Sequence, residues 1–167
     1  MDTSLILKMH AFQRGYLGLL VDDIEDERMC DQPGGMLNHP AWQIGHMAVA
    51  LDRMTKLLGG ESALDENWSK RFAQGSTPLA DRAVYPSRAE LMRVLDERRE
   101  AASRALASAS AELLARPNPL ERLVQKLPTI GNMVPFIFNF HEGTHLGQLA
   151  TWRQLMGMSK ALSKLTP

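Results

Sequence analysis

The sequence has little cysteine, no long apolar run and no excess of charge of either sign. Cys30 is the single cysteine among 167 residues, which excludes an intramolecular disulfide and fits a reducing compartment. No run of 18 or more apolar residues is present, so a transmembrane helix is not expected. The segment after Met1 has neither a basic start nor a long apolar stretch, and no signal peptide is expected. These features predict a cytoplasmic protein without a membrane partner.

The charge and the length of the chain indicate which partners and how many domains to expect. Nineteen Lys and Arg residues balance nineteen Asp and Glu residues, so the formal net charge is zero. Proteins that bind nucleic acids usually carry a basic surplus, which releases counterions from phosphates, and no nucleic-acid partner is expected here. With 44% hydrophobic residues, the chain can build one substantial core. We expect a single domain over residues 1–167.

Apolar residues repeated at intervals of three and four predict four long helices. They run from about Thr3 to Arg28, from Pro40 to Gly59-Gly60 with Asn38 or His39 as the cap, from Ser87 to Arg116, and from Asn132 to Met156. A short helix is expected near residues 62–72, within a long connection between helices 2 and 3. Residues 136–140 alone resemble a strand, but the helical spacing around them and the lack of partner strands favour a helix. The predicted fold is an all-α four-helix bundle.

The apolar stripes also predict which residues form the core. On the first helix the residues expected to face the core are Leu5, Met9, Phe12, Tyr16, Leu19, Leu20 and Ile24. His10 has no partner in the sequence and is expected at the edge of this stripe. Met47 and Met54 fall on the stripe of the second helix. The ten methionines are therefore interpreted as flexible core residues rather than as sulfur ligands.

Two histidines near the C-terminus form the most informative pattern. His141 and His145 are one helical turn apart, so their imidazoles project from the same face of the predicted fourth helix. Such a pair can supply two ligands to a transition metal. Gln148 lies on the same face and could hydrogen-bond a bound water or substrate. The alternative is a chance pair of histidines, each with an ordinary hydrogen bond in the core.

The same segment matches His-Glu-x-x-His, the pattern of zinc metalloproteases in which the glutamate is the general base. Glu142 would be that base, although it is turned by about 100° around the helix from His141. Metalloproteases take a third ligand downstream, but neither a histidine nor an acidic residue follows His145. A third protein ligand must therefore come from upstream, which disfavours a standard metalloprotease.

His46 is the best upstream candidate for the third ligand. It lies about two turns into the second helix, beside Trp42 and Gly45, and Gly45 would allow another helix to approach closely. A histidine packed against Trp42 for structural reasons is the alternative. Bundles build metal sites from side chains on facing helices. We expect the ring nitrogens of His46, His141 and His145 to converge to within about 3–4 Å, given metal–nitrogen distances near 2.0–2.1 Å.

The order of several short motifs resembles that of the DinB superfamily, which includes the YfiT-like metal-dependent proteins. The motifs are Trp42-x-x-Gly45-His46 after a Pro-Gly turn, Trp68…Phe72…Gly75, Tyr85-Pro86-Ser87 at a helix start, and His141-x-x-x-His145-x-x-Gln148. The resemblance implies a four-helix bundle, often dimeric, whose three histidines hold a divalent metal ion such as zinc or nickel. It also implies a low-molecular-weight thiol as a cosubstrate in S-transfer or isomerisation.

Three functions of different classes remain open from the sequence. The first is a metal- and thiol-dependent S-transferase or isomerase acting on a small molecule. The second is a metal-dependent hydrolase with Glu142 as its base, and the third is a metal-binding bundle without catalysis. In each, Glu142, Gln148 and Trp42 are candidates for residues that surround the three metal ligands. Cys30 has Arg28 as its one cationic neighbour in the turn and is a poor candidate for a nucleophile. We also expect a homodimer formed through a helical face.

Overall fold

The computed structural model describes residues 3–164, and these residues are folded almost entirely into helices. The α-helices are α1 (Thr3–Val21), α2 (Pro40–Leu57), α3 (Glu66–Phe72), α4 (Arg88–Ser108), α5 (Ala111–Ala115), α6 (Glu121–Val124), α7 (Ile130–Pro135) and α8 (Glu142–Leu155). A π-helical segment, Phe136–His141, joins α7 to α8, and short 3-10 turns occupy Asp26–Cys30, Pro33–Gly35, Arg82–Val84 and Ala161–Lys164. The prediction of no signal peptide rests partly on Met1 and Asp2, which lie outside the described residues.

The all-α prediction is confirmed. Residues 3–164 contain no β-strand, only an isolated bridge between Pro117 and Thr129. The segment that alone resembles a strand is the π-helical one. Within the same residues, no helix combines the length and the apolar character that crossing a membrane requires.

Two of the predicted long helices end earlier than expected. The first ends at Val21, because two consecutive acidic residues at 22–23 would lie at the negative end of the helix dipole. The third ends at Ser108, where the backbone becomes extended at Ala109. The Ser110 hydroxyl then accepts the Leu113 N–H and caps the separate short helix α5.

The long helical stretches pack in pairs around one apolar core. Helix α2 packs along α4, α1 packs along α8, and α2 also contacts α3 and α8. The largest apolar side chains that these contacts bury completely include Leu17, Leu20, Ile44, Met47, Met54, Phe72, Phe138 and Trp152. Since α2 lies against both α3 and α8, side chains from its middle can meet side chains from the C-terminal helices.

The prediction for the buried face of α1 is wrong at its N-terminal half. Leu5, Met9 and Phe12 are about half exposed, whereas Ile6, His10 and Gln13 are buried. Polar side chains occupy the buried positions because they meet the π-helical segment. The Gln13 amide donates to the Asn139 carbonyl at 2.9 Å, and His10 Nδ1 lies 3.3 Å from the Phe138 carbonyl oxygen.

Helix α2 starts with a buried histidine cap that should make stability depend on pH. His39 Nδ1 accepts the Trp42 N–H at 3.2 Å, and the side chain is fully buried. Burial lowers the pKa of His39 from 6.5 to about 4. As the pH falls, His39 therefore binds a proton in the unfolded chain before it does so in the folded protein. The stability contributed by neutral His39 is complete above pH 6.5 and is lost between pH 6.5 and about 4.

We expect this loss to be on the order of 3 kcal/mol. His39→Asn keeps a capping side chain but removes the titration. Urea unfolding of the metal-free protein between pH 7 and 4 should show a shallower pH dependence for His39→Asn than for the wild type. Parallel curves for the two proteins would show that His39 is not the group responsible.

Candidate metal centre

Three histidines from two parts of the chain meet inside the protein. His46 lies on α2, His141 is the last residue of the π-helical segment, and His145 lies one turn later on α8. His46 Nε2 and His141 Nε2 are 3.2 Å apart, and one donor nitrogen from each of the three rings lies within 4.8 Å of the others. Nitrogens that share a tetrahedral ion at 2.0–2.1 Å would be about 3.3 Å apart. The three rings therefore have a spacing from which a divalent ion can be bound with small adjustments.

Hydrogen bonds at the other ring nitrogens orient two of these imidazoles. His46 Nδ1 lies 2.7 Å from the Phe72 carbonyl oxygen, so Nδ1 carries the proton and Nε2 keeps its lone pair. His145 Nδ1 lies 3.4 Å from Gln43 Oε1, while Gln43 Nε2 donates to the Asn38 carbonyl at 2.7 Å. The second contact fixes which end of the Gln43 amide faces His145.

Gly45 allows the carbonyl of Phe72 to reach His46. A Cβ atom placed on Gly45 would lie 2.3–2.5 Å from three carbons of the Phe72 ring, closer than real contacts permit. Phe72 itself is fully buried at the end of α3. The expectation that Gly45 permits a close approach is confirmed, and the approaching group is the aromatic ring that ends α3.

Burial keeps the three imidazoles neutral near pH 7. Loss of solvation is the main cause that lowers the pKa of His46, of His141 to about 4 and of His145 to about 3. The neighbouring histidines lower the pKa of His141 and His145 further, because two positive charges this close repel each other. Neutral imidazole is the form that binds transition metals. The set therefore fits a divalent ion without prior loss of protons.

The three histidines line a cavity of about 440 Å³ that opens to solvent. Trp42 also lines it and stacks on His46, with ring centroids 4.6 Å apart and an angle of 10° between the planes. Trp42 Nε1 donates to Ser76 Oγ at 2.8 Å, which ties this wall to the loop after α3. Much of the remaining wall is apolar and comes from Val49, Met54, Leu57, Leu120, Leu123, Met133, Phe136 and Ile137. The cavity is large enough for a small organic molecule.

Glu142 lies outside this cavity, although it adjoins His141 in sequence. Its carboxylate pairs with the guanidinium of Arg99 through Oε1, and Oε2 lies 3.1 Å from His10 Nδ1. All three side chains are at least 96% buried. A general base must reach the cavity to activate a water molecule there, and this carboxylate is held on another side of the helix. The arrangement does not support the base role that the His-Glu-x-x-His pattern suggests.

The other candidate neighbours of the ligands occupy different places. Trp42 forms a wall of the cavity. Gln148 does not line the cavity, but it is near enough to His145 to oppose the lowering of the pKa of that ring. Neither Gln43 nor the Phe72 carbonyl was predicted from the sequence. Gln43 could have been noticed as the residue three positions before His46, on the same side of α2.

Comparisons with known proteins place the chain in a family. A family model described as the DinB superfamily matches residues 10–149, a stretch that includes all three histidines and covers most of the chain. No curated protein and no solved structure matched in the two other comparisons. Because the match spans well over half of the sequence, the chain belongs to the DinB superfamily.

Proposed function

We propose that His46, His141 and His145 hold one divalent metal ion, zinc or nickel, and that the protein is a metal-dependent S-transferase or isomerase with a low-molecular-weight thiol as cosubstrate. The observation that carries the proposal is the convergence of three neutral imidazoles at the wall of an open cavity. Three neutral ligands leave the charge of a divalent ion uncompensated and leave coordination positions free. DinB superfamily membership supports the same conclusion.

The residues of the cavity have separable roles in this proposal. A bound divalent ion would lower the pKa of a thiol that reaches it, so that the thiolate nucleophile forms near neutral pH. The Phe72 carbonyl and Gln43 contact Nδ1 of His46 and of His145, which leaves Nε2 of each ring for the metal ion. Trp42 and the apolar wall exclude water from one side of the cavity. No protein base is needed for this chemistry, which agrees with the position of Glu142.

Cys30 is not the nucleophile of the proposed reaction. Its side chain is buried, and burial raises the pKa of its thiol to about 11, so the thiol stays protonated at neutral pH. The thiol must therefore come from a small molecule. A reducing cytoplasm keeps such thiols reduced and is the location that we propose.

The proposal is tested by loading the metal-free protein with zinc or nickel and measuring the consumption of small thiols in the presence of an electrophile such as 1-chloro-2,4-dinitrobenzene. Cys30→Ser should keep the activity, and His46→Ala should lose it together with the metal. Glu142→Gln, compared at equal metal occupancy, should change the rate by less than about tenfold, because a general base contributes 10²–10⁴-fold and Glu142 is not acting as one. Metal-loaded protein that turns over no thiol would contradict the enzymatic proposal.

We also propose that the protein is a homodimer that pairs through α1. Met9 and Phe12, three positions apart on one face of α1, are 47% and 56% exposed. Large apolar side chains that share an exposed face are typical of protein interfaces. Light scattering should give twice the mass of the 18.6 kDa chain, and Phe12→Glu should convert the dimer to a monomer. A wild-type monomer would contradict this assignment.

A further inference from the structure

Two arginines line the histidine cavity from opposite parts of the chain. Arg53 lies on α2, two turns after His46, and Arg122 lies on α6. Both are exposed at the solvent side of the cavity. The two guanidinium groups and the three histidines therefore face the same cavity.

Nothing in the cavity compensates these two charges. No Asp or Glu is among its lining residues, and within residues 3–164 neither Arg53 nor Arg122 forms an ion pair with a carboxylate. Other arginines of the protein do have such partners: Arg14 pairs with Asp96, Arg82 with Asp26 and Arg153 with Asp23. A divalent ion at the histidines would add two further positive charges. In a chain of zero net charge, this cavity would become a concentrated positive region.

We propose that Arg53 and Arg122 bind the anionic group, a carboxylate or a phosphate, of a small ligand whose other end reaches the three histidines. The guanidinium fork matches the oxygens of both groups and donates charge-assisted hydrogen bonds to them. The apolar residues of the cavity wall, which include Val49, Leu123 and Phe136, would contact an uncharged middle part of the ligand. The ligand class is thus a small anionic molecule with a short apolar body. This inference rests on the proposed function, because it defines the substrate of the same cavity.

The anionic group could be carried by the thiol or by the second substrate, and binding measurements can separate these sources. The protein is loaded with cobalt(II), whose absorption reports a coordinated thiolate. It is then titrated with 3-mercaptopropionate and with its neutral counterpart 3-mercaptopropan-1-ol. Butyrate, which has no thiol, is titrated in parallel by calorimetry. The variants are Arg53→Gln and Arg122→Gln, with Arg104→Gln as the matched control, since Arg104 is exposed on α4 and does not line the histidine cavity.

We expect wild-type protein to bind the carboxylate thiol at least about tenfold more tightly than the alcohol, because charge-assisted hydrogen bonds are the stronger ones. Each cavity variant should reduce this ratio by about fivefold or more, and Arg104→Gln should leave it unchanged. Equal affinity for the two thiols, with butyrate bound in an arginine-dependent manner, would place the anionic group on the second substrate and support the inference.

Two results would overturn the inference. A preference for the carboxylate thiol that persists in both cavity variants would come from chelation of the metal rather than from the arginines. Equal affinity for both thiols, without any binding of butyrate, would show that the thiols coordinate the metal but that the cavity contains no anion site. Failure of the proposed function is a different result: neither thiol would change the cobalt spectrum, while arginine-dependent binding of butyrate could still be measured.

Discussion

Replacing Glu142 with alanine should destabilise the protein by about 3 kcal/mol, because the buried guanidinium of Arg99 loses its nearest counter-charge and keeps only Asp96, at 4.0 Å. Arg99 is 3% exposed, and its loss of solvation already lowers its pKa, so it cannot be rehydrated without local opening of the structure. Glu142 also lies at ion-pair distance from His10 on α1. Chemical denaturation of metal-free wild-type and variant proteins measures the change.

A double substitution separates the buried charge from the loss of packing. Arg99→Met combined with Glu142→Leu removes both charges and keeps apolar volume, and it should recover most of the stability lost in Glu142→Ala. The metal affinity of the folded double variant should stay within about tenfold of the wild type, since Glu142 lies outside the cavity. A destabilisation of less than about 1 kcal/mol in Glu142→Ala would contradict the buried ion pair.

Replacing Gly45 with alanine should weaken both folding and metal binding. The new Cβ would overlap the Phe72 ring, so the ring and the end of α3 must move, and overpacking of this kind costs about 1–3 kcal/mol. The movement would also withdraw the Phe72 carbonyl from His46 Nδ1. Loss of such a partner typically lowers metal affinity by about 10–100-fold. Thermal unfolding and competition with a chelator measure the two effects.

Gly147→Ala is the matched control for this substitution. Gly147 also lies in a helix, but a Cβ there would meet nothing within 4 Å, and its φ angle is not positive. This variant should be as stable as the wild type or more stable by about 0.5–1 kcal/mol, with unchanged metal affinity. Equal behaviour of Gly45→Ala and Gly147→Ala would show that the contact between Gly45 and Phe72 does not position His46.

The sequence allowed the three clustered histidines to be predicted, but not the groups that orient them. His141 and His145 are visible because one helical turn separates them, and His46 because it was the best remaining imidazole beside a glycine on a facing helix. The partner of His46 is a backbone carbonyl, which every residue possesses, so no side-chain pattern marks Phe72 for this role. Tertiary packing alone brings that carbonyl to the ring.

The buried face of α1 is a place where the spacing of apolar residues gives a wrong prediction. The apolar spacing selected Met9 and Phe12, yet the structure buries His10 and Gln13 because they meet carbonyls of the π-helical segment. A π-helix changes the spacing of side chains and produces no periodic signal in a single sequence. For the same reason the interaction of His10 with Glu142 could not be predicted, and Glu142 was instead considered as a general base or as a residue near the metal ligands.

The central claim is that the three histidines form one metal site, and metal stoichiometry tests it most directly. Metal-free protein titrated with zinc or nickel should bind one ion per chain. His46→Ala, His141→Ala and His145→Ala should each lower the affinity by more than about 100-fold, which exceeds the usual effect of losing an outer partner. His39→Asn, at a buried histidine outside the cluster, should bind the ion as the wild type does. A wild-type protein that binds no divalent ion, or a His46→Ala variant that binds it equally well, would contradict the account.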